Sequence, residues 1–335
     1  MHRLRKPYLL FLGDVQDNLT AKTAFGLRDW CADDVVGEWS LPDCGVTLGL
    51  PRMSPHEAAK SGAGSIIVGI APVGGRLPLH WVTELAAAAA AGLDVVSGLH
   101  SRLGSFPELA QAAARSGARL IDVRHSESIF SAATGRKRRG KRLLTVGTDC
   151  ALGKKYTALA IAKNLKSRGV AATFRATGQT GVMISGAGVA IDAVIADFIA
   201  GAAEELSPDN APDHWDVIEG QGSLFHPAYA GVTLGLLHGS QPDAIVLCHN
   251  PSRRTIEGYP DFPIPDLKVA IDDYLRAGRL TNAAIRCAGL SINSSGLDDA
   301  ECARYFERLR AELGLPVCDP MRSGVDALVA ALLAP

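Results

Sequence analysis

Between a short apolar run, Leu143–Val146, and an apolar helical pattern beginning at Lys154 stands Gly147-Thr148-Asp149-Cys150-Ala151-Leu152-Gly153-Lys154-Lys155-Tyr156-Thr157. A strand, a glycine-bounded turn and a helix in succession aim several backbone N–H groups at one point, and the helix N-terminus adds positive potential there. Lys154 contributes a full charge from the first helical turn, where it is expected to face a solvated cleft. Such a unit cradles a phosphate and sits in a parallel sheet flanked by helices. Five residues separate Gly147 and Gly153, one more than in the common phosphate loop, and Lys155 stands where Ser or Thr would hold Mg²⁺. Thr157 offers the nearest substitute hydroxyl. All eleven residues from Gly147 to Thr157 are candidate ligand-binding positions.

The rest of the chain alternates in the same way. Before residue 135, Tyr8–Leu12, Ser65–Ile70, Asp94–Ser97 and Arg119–Val123 read as strands, with helices at Leu19–Trp30, His80–Ala91 and Phe106–Ser116. Beyond it, strands are expected at Leu143–Val146, Val170–Phe174, Trp215–Ile218, Ala244–Leu247 and Ala283–Ala288. Helices are expected at Lys154–Ser167, Ala187–Glu205, Leu267–Ala277, Asp298–Leu313 and Ser323–Leu333. The expected fold is therefore α/β: two doubly wound parallel-sheet domains, an N-terminal Rossmann-like one over residues 1–135 and a C-terminal P-loop domain over 143–335. The basic run 136–142, with six cationic side chains in seven positions, reads as a solvated linker.

In doubly wound sheets, ligands bind beyond the carboxyl ends of the strands. Four such loops in the second half carry chemistry. Arg175-Ala176-Thr177-Gly178-Gln179-Thr180-Gly181 is small and hydroxyl-rich, so Thr177, Gln179 and Thr180 are candidate substrate contacts and its backbone amides candidate oxyanion donors. Glu219-Gly220-Gln221-Gly222-Ser223-Leu224-Phe225-His226 supplies two candidate bases, Glu219 and His226. Adjacent Arg253 and Arg254 suit a carboxylate or phosphate through bidentate bonds. Ser291-Ile292-Asn293-Ser294-Ser295-Gly296 reads equally as a reader of adenine or a substrate amide and as a capping turn before Asp298. In the first half, strand ends meet polar or glycine-rich loops at Gly13–Asn18, Ala71–Arg76, Ser97–His100 and Asp122–His125, the expected face of an interdomain cleft. None matches the dinucleotide fingerprint.

Composition closes off other classes. Lys plus Arg total 34 against 35 Asp plus Glu, a net charge of −1, so no global field exists to hold nucleic acid or an anionic membrane. Seven cysteines without a C-x-x-C pair argue against a disulfide framework and a cysteine-based zinc site, and no metal is expected. The apolar run behind the basic N-terminus stops at Asp14, which reads as a first strand rather than a signal peptide, and neither Leu85–Leu93 nor Ala187–Ala203 can span a bilayer. A cytoplasmic protein acting on a small molecule is expected, with self-association left open.

The five-residue spacing and the Gly-Thr-Asp opening of the loop resemble dethiobiotin synthetases and their relatives. Taken with Thr177-Gly178-Gln179-Thr180-Gly181, Val217-Ile218-Glu219-Gly220-Gln221-Gly222 and Gly98-Leu99-His100, they resemble over the whole chain a bacterial and archaeal family known as a domain of unknown function. That family pairs an N-terminal Rossmann-like domain with a C-terminal P-loop domain. Its DgcN-type branch is similar in these motifs, and the resemblance implies D-glutamate N-acetylation from acetyl-CoA as cosubstrate. In that reading Lys154 and Lys155 meet the phosphates of CoA, Glu219 or His226 takes the acceptor's proton, and Arg253 and Arg254 fork its carboxylate. Cys150 in the loop leaves a ping-pong route conceivable. Two alternatives stay open: an ATP- and Mg-dependent ligase or kinase of the dethiobiotin synthetase type, and a nucleotide-sensing regulatory protein.

Overall fold

The computed structural model describes residues 4–18, 20–70, 75–125 and 129–334. Leu19 and the Ala71–Gly74 part of one expected loop lie outside the described residues. The chain divides into two compact units, one formed by Met1–Ser128 with Gln179–Ala193, the other by Ile129–Gly178 with Val194–Pro335.

The first unit is built on a parallel five-stranded sheet of β1 (Tyr8–Gly13), β2 (Val35–Ser40), β3 (Ser65–Val68), β4 (Asp94–Ser97) and β5 (Leu120–Asp122) in the order β2-β1-β3-β4-β5. Strand order reverses at β1, the topological switch point of a doubly wound sheet. Near-continuous apolar strands such as Tyr8–Leu12 are buried because helices cover both faces. The helices are α1 (Lys22–Trp30), α2 (Pro55–Lys60), α3 (Val82–Ala90) and α4 (Pro107–Ser116). Strand β2 escaped the sequence reading because its centre is Glu38. That buried carboxylate accepts from Thr47 Oγ1 at 2.7 Å and Leu48 N at 2.6 Å, so the polar residue is satisfied inside the unit.

Asp94 opens β4 with its side chain buried, accepting from Arg5 Nε at 2.9 Å and from the Arg119 backbone N and Nε at 2.8 Å each. Burial favours the neutral acid, but the bonds from Arg119 and Arg5 outweigh it and hold the carboxyl below its usual range. A lowered folded pKa contributes stability above the unfolded value of about 3.9 and loses it as pH falls through the folded value. Both arginines are about half exposed. Asp94→Asn is therefore expected to cost about 1–2 kcal/mol at pH 7. Chemical unfolding of the variant should approach the unaltered chain as pH drops below 4; an equal deficit at every pH would contradict this role.

The second unit holds a parallel six-stranded sheet. Its strands are β6 (Lys141–Gly147), β7 (Ala172–Arg175), β8 (Trp215–Ile218), β9 (Ala244–His249), β12 (Arg286–Ile292) and β13 (Val317–Cys318), in the order β13-β12-β9-β6-β8-β7. A small antiparallel pair, β10 (Thr255–Ile256) and β11 (Tyr259–Pro263), projects after β9. Helices α5 (Lys154–Ser167), α7 (Ile199–Leu206), α8 (Ala230–Ser240), α9 (Leu267–Gly278), α10 (Asp299–Leu313) and α11 (Asp326–Leu333) complete the unit, while α6 (Gln179–Ser185) belongs to the first. Leu143, Val217 and Val246 of the sheet pack with Ile161 and Leu165 of α5 and with Leu328 and Val329 of α11 in one core. No helix among the described residues is long and apolar enough to cross a membrane.

Several expected elements differ. The single helix over Ala187–Glu205 is two short 3₁₀ turns, Ile191–Ala193 and Ala196–Phe198, followed by α7, and Gly188 at φ 153° sits in a backbone region closed to a helix. Strand β12 runs to Ile292 rather than ending at Ala288, which moves Ser291 from the loop into the strand. The basic run is not solvated throughout. Lys141 and Arg142 enter β6, and Arg142 is fully buried, donating to the carbonyls of Arg138, Arg139, Gly140, Ser207 and Pro208. Arg138 is buried beside it, donating to Gly239 O at 2.7 Å; burial, reinforced by Arg142, lowers its pKa to about 10. Charge alone marked the run as a linker, but backbone carbonyls left by neighbouring chain turns need donors, and guanidinium forks supply them.

Candidate active site

The phosphate loop leaves β6 at Gly147 and enters α5 at Lys154, where the sequence places it. Ala151 (φ 53°) and Gly153 (φ 98°) take left-handed backbone, so the last glycine is favoured by conformation, whereas a Cβ there would meet no neighbour within 4 Å. The loop is braced from below. Tyr274 OH and Ser223 Oγ each donate to Gly147 O at 2.8 Å, Thr148 N donates to Cys248 O at 3.1 Å, and Thr148 Oγ1 pairs with His249 Nδ1 at 3.0 Å. Burial pushes His249 down to about 4, so it is a neutral partner of Thr148 at neutral pH.

Lys154 is not on a solvated cleft wall. Its side chain is buried and curls back so that Nζ donates to Asp149 O at 2.7 Å. Burial lowers its pKa, while Cys150, Cys248 and Asp149 oppose that shift. The bond that Nζ makes is to a backbone carbonyl, and an incoming phosphate would give it an anion. Lys155 points its ammonium over the Tyr156 ring at 5.1 Å. Thr157 Oγ1 donates to Gly153 O at 3.1 Å and pairs with Ser291 Oγ at 2.7 Å, so the substitute hydroxyl is engaged inside the unit.

Asp149 is the loop's second anchor. Its Oδ1 accepts from Cys150 N at 2.6 Å, and its Oδ2 from Arg253 Nη1 at 2.7 Å and Glu257 N at 2.9 Å. Arg253 Nη1 also donates to Cys150 O at 2.7 Å. Arg253, expected to fork a substrate, is placed as a brace across the loop, whereas Arg254 is exposed. Ligand-type atoms of Asp149, Cys150 and His226 lie within 4.8 Å of one another, the one such convergence of His, Cys and acidic groups among the described residues. Both Asp149 oxygens are already paired, and burial raises the Cys150 thiol above its usual range against the opposing Lys154 charge.

The two expected bases are both held. Glu219 is buried, and its Oε2 accepts from Thr177 N and Gly178 N at 3.0 Å each, which fixes the Thr177 loop. Thr177 in turn donates from Oγ1 to Glu219 O at 2.5 Å. His226 Nδ1 accepts from Ala228 N at 3.2 Å, and the ring stacks on Tyr229 at 4.4 Å. A neutral ring with Nδ1 as acceptor carries its proton on Nε2. Gln179 and Thr180 start α6 in the first unit, where Thr180 Oγ1 meets Thr23 Oγ1 at 3.1 Å.

Of the other wall of the site, the sequence points to the Ser291–Gly296 loop but not to the segment after β13. The Asn293–Ser295 loop after β12 and Asp319–Arg322 after β13 enclose, with Leu152, Gly153 and Tyr156, a cavity of about 410 Å³ beside the phosphate loop. Strand β13 has two residues, Val317–Cys318, too few for a periodic signal.

Residues 130–329 match the family model described as the domain of unknown function DUF1611_C, a P-loop domain, and residues 36–126 match DUF1611_N, a Rossmann-like domain. A D-glutamate N-acetyltransferase from Tritonibacter scottomollicae is 49% identical over 331 residues, covering 99% of both chains. One from a Pseudoalteromonas species is 48% identical over 330 residues, covering 98% of this chain and 99% of its own. The crystal structure of a DUF1611 family protein from Anabaena variabilis aligns with a TM-score of 0.86 at 34% identity, covering 98% of this chain and 99% of the other.

Proposed function

This chain belongs to the DUF1611 family, and we propose that it transfers the acetyl group of acetyl-CoA to the amino group of D-glutamate. The observation that carries the reading is whole-length identity of 49% and 48% to two proteins named for that activity. The loop chemistry agrees with it. A cradle with Lys155 in place of a metal-holding hydroxyl, and with Thr157 engaged by Ser291, suits an anion bound through amides and Lys154 rather than a Mg-nucleotide.

In this reading the backbone amides of Ala151–Gly153 and Lys154 receive the CoA diphosphate, since Thr148 N and Cys150 N are bonded to Cys248 O and Asp149 Oδ1. Arg253 keeps Asp149 and the Cys150 carbonyl in place, and Arg254 is assigned to the acceptor's carboxylate. Glu219 positions the Thr177–Gly178 backbone. His226 is assigned the amine proton: it accepts at Nδ1 and releases the Ala228 amide. The amine then attacks the thioester carbonyl, the carbon–sulfur bond breaks, the proton shed by the acylated nitrogen passes to the sulfur, and CoA leaves as the thiol.

The test is thiol release from acetyl-CoA in excess EDTA with a panel of D- and L-amino acids. Release with D-glutamate, undiminished by EDTA, is expected. Turnover that requires Mg-ATP and forms ADP would overturn the reading in favour of a ligase, and tight nucleotide binding without turnover would favour a sensor.

A further inference from the structure

Resting on the acetyl-CoA reading, we propose that the cavity beside the phosphate loop receives the adenine ring of the CoA nucleotide and that Arg322 pairs with its ribose 3′-phosphate. Its volume of about 410 Å³ is in the range of small-molecule sites. Gly153 and Thr157 form part of its wall, so a base lodged there has its 5′-phosphates over the loop amides and the start of α5.

The cavity is held in shape before any ligand arrives. Asp319, almost fully buried, accepts from Ser294 N at 3.0 Å and Ser294 Oγ at 2.5 Å through Oδ2, and from Met321 N at 2.8 Å through Oδ1. One carboxylate thereby ties the loop after β12 to the loop after β13. It also spends its charge on those donors, which softens its repulsion of a phosphate nearby. Leu152 and Met321 give the cavity apolar surface for a flat ring, and Tyr156 adds an aromatic one.

Polar groups at the margin fit a purine nucleotide. Asn293 Oδ1 accepts from Ser295 N at 3.2 Å, which turns the amide so that its Nδ2 donors serve a ring nitrogen. Arg322 is the single Lys, Arg or His side chain among the described residues lining the cavity. Its Nη2 donates to Leu297 O at 2.8 Å, and its Nη1 stands 3.5 Å from the fully exposed Asp299. That outer pair is weak and screened, so the guanidinium can exchange it for a phosphate. A 3′-phosphate distinguishes CoA from ATP and from dephospho-CoA, which makes Arg322 a specificity-determining residue.

Calorimetry with adenosine 3′,5′-bisphosphate and with 5′-AMP, which differ only in the 3′-phosphate, on the full chain in EDTA, tests the proposal. The bisphosphate is expected to bind about tenfold more tightly, and Arg322→Ala to erase that preference while leaving 5′-AMP affinity in place. Asn293→Ala should weaken both ligands about fivefold. Equal affinity of the unaltered chain for the two nucleotides, or a preference that survives Arg322→Ala, overturns it. The outcome is separable from the transfer reading. Acetyl transfer to D-glutamate with no competition by the bisphosphate would sink the pocket assignment alone. The expected binding pattern in a chain that releases no thiol would leave the pocket standing and sink the transfer.

Discussion

Lys154→Ala is expected to lower acetyl-CoA-dependent kcat/KM about 10- to 150-fold while leaving the unliganded fold intact. The range is that of one charge-assisted hydrogen bond, roughly 1.5–3 kcal/mol, at about 1.4 kcal/mol per tenfold. The side chain is buried, so the stability argument needs its own signs. Burial lowers the Lys154 pKa, so the ionisation of this side chain opposes folding at neutral pH, and removing it relieves that cost. Against this, Asp149 O loses its donor, worth about 1 kcal/mol. The two effects have opposite sign, and the thermal midpoint without ligand should shift by a few degrees at most. Unchanged kcat/KM would refute the cradle. A collapsed midpoint would make Lys154 a structural residue.

Gly220→Ala is expected to cost the second unit about 3 kcal/mol or more, because overpacking against backbone has no side chain to move aside. A Cβ at residue 220 would lie 1.7 Å from Thr145 O and 3.1 Å from Lys154 Cδ. Gly220 N also donates to Thr145 Oγ1 at 2.9 Å, which ties the loop after β8 to β6 directly beneath the phosphate site. For a unit of this size the thermal midpoint should fall by about 6–12 °C, with binding of acetyl-CoA lost in parallel. A variant that melts with the unaltered chain would mean that the close approach is relieved by a small strand shift.

Motifs that act through the backbone were the most legible in the sequence. Gly147–Lys154 announces itself because strand, turn and helix each have a local signal, and the structure places the loop between β6 and α5 at the expected residues. Helix α8 carried no such signal. Its sequence holds Gly231, Gly235 and Gly239, poor helix formers each costing about 1 kcal/mol. Their use is tertiary: a Cβ at 239 would lie 2.1 Å from Ala200 O and one at 235 would lie 2.5 Å from Ile199 Cγ2, so two of these glycines let α8 approach α7. Arg253 illustrates a different limit. Its position beyond β9 is readable, but which anion it meets depends on Asp149, 104 residues earlier, and only packing brings the two to 2.7 Å. Arg142 and Arg138 are the same case: charge suggests solvent, and beside the local carbonyls of Arg138–Gly140 the acceptors that bury them come from the distant Ser207, Pro208, Gly239 and Ser240.

The most direct test of the account is the product itself. Purified chain with acetyl-CoA and D-glutamate in EDTA should yield N-acetylglutamate by mass spectrometry in equal amount to the CoA thiol released, with L-glutamate far below it. CoA release without an acetylated amino acid, or N-acetylglutamate formed only when ATP and Mg²⁺ are added, would contradict it.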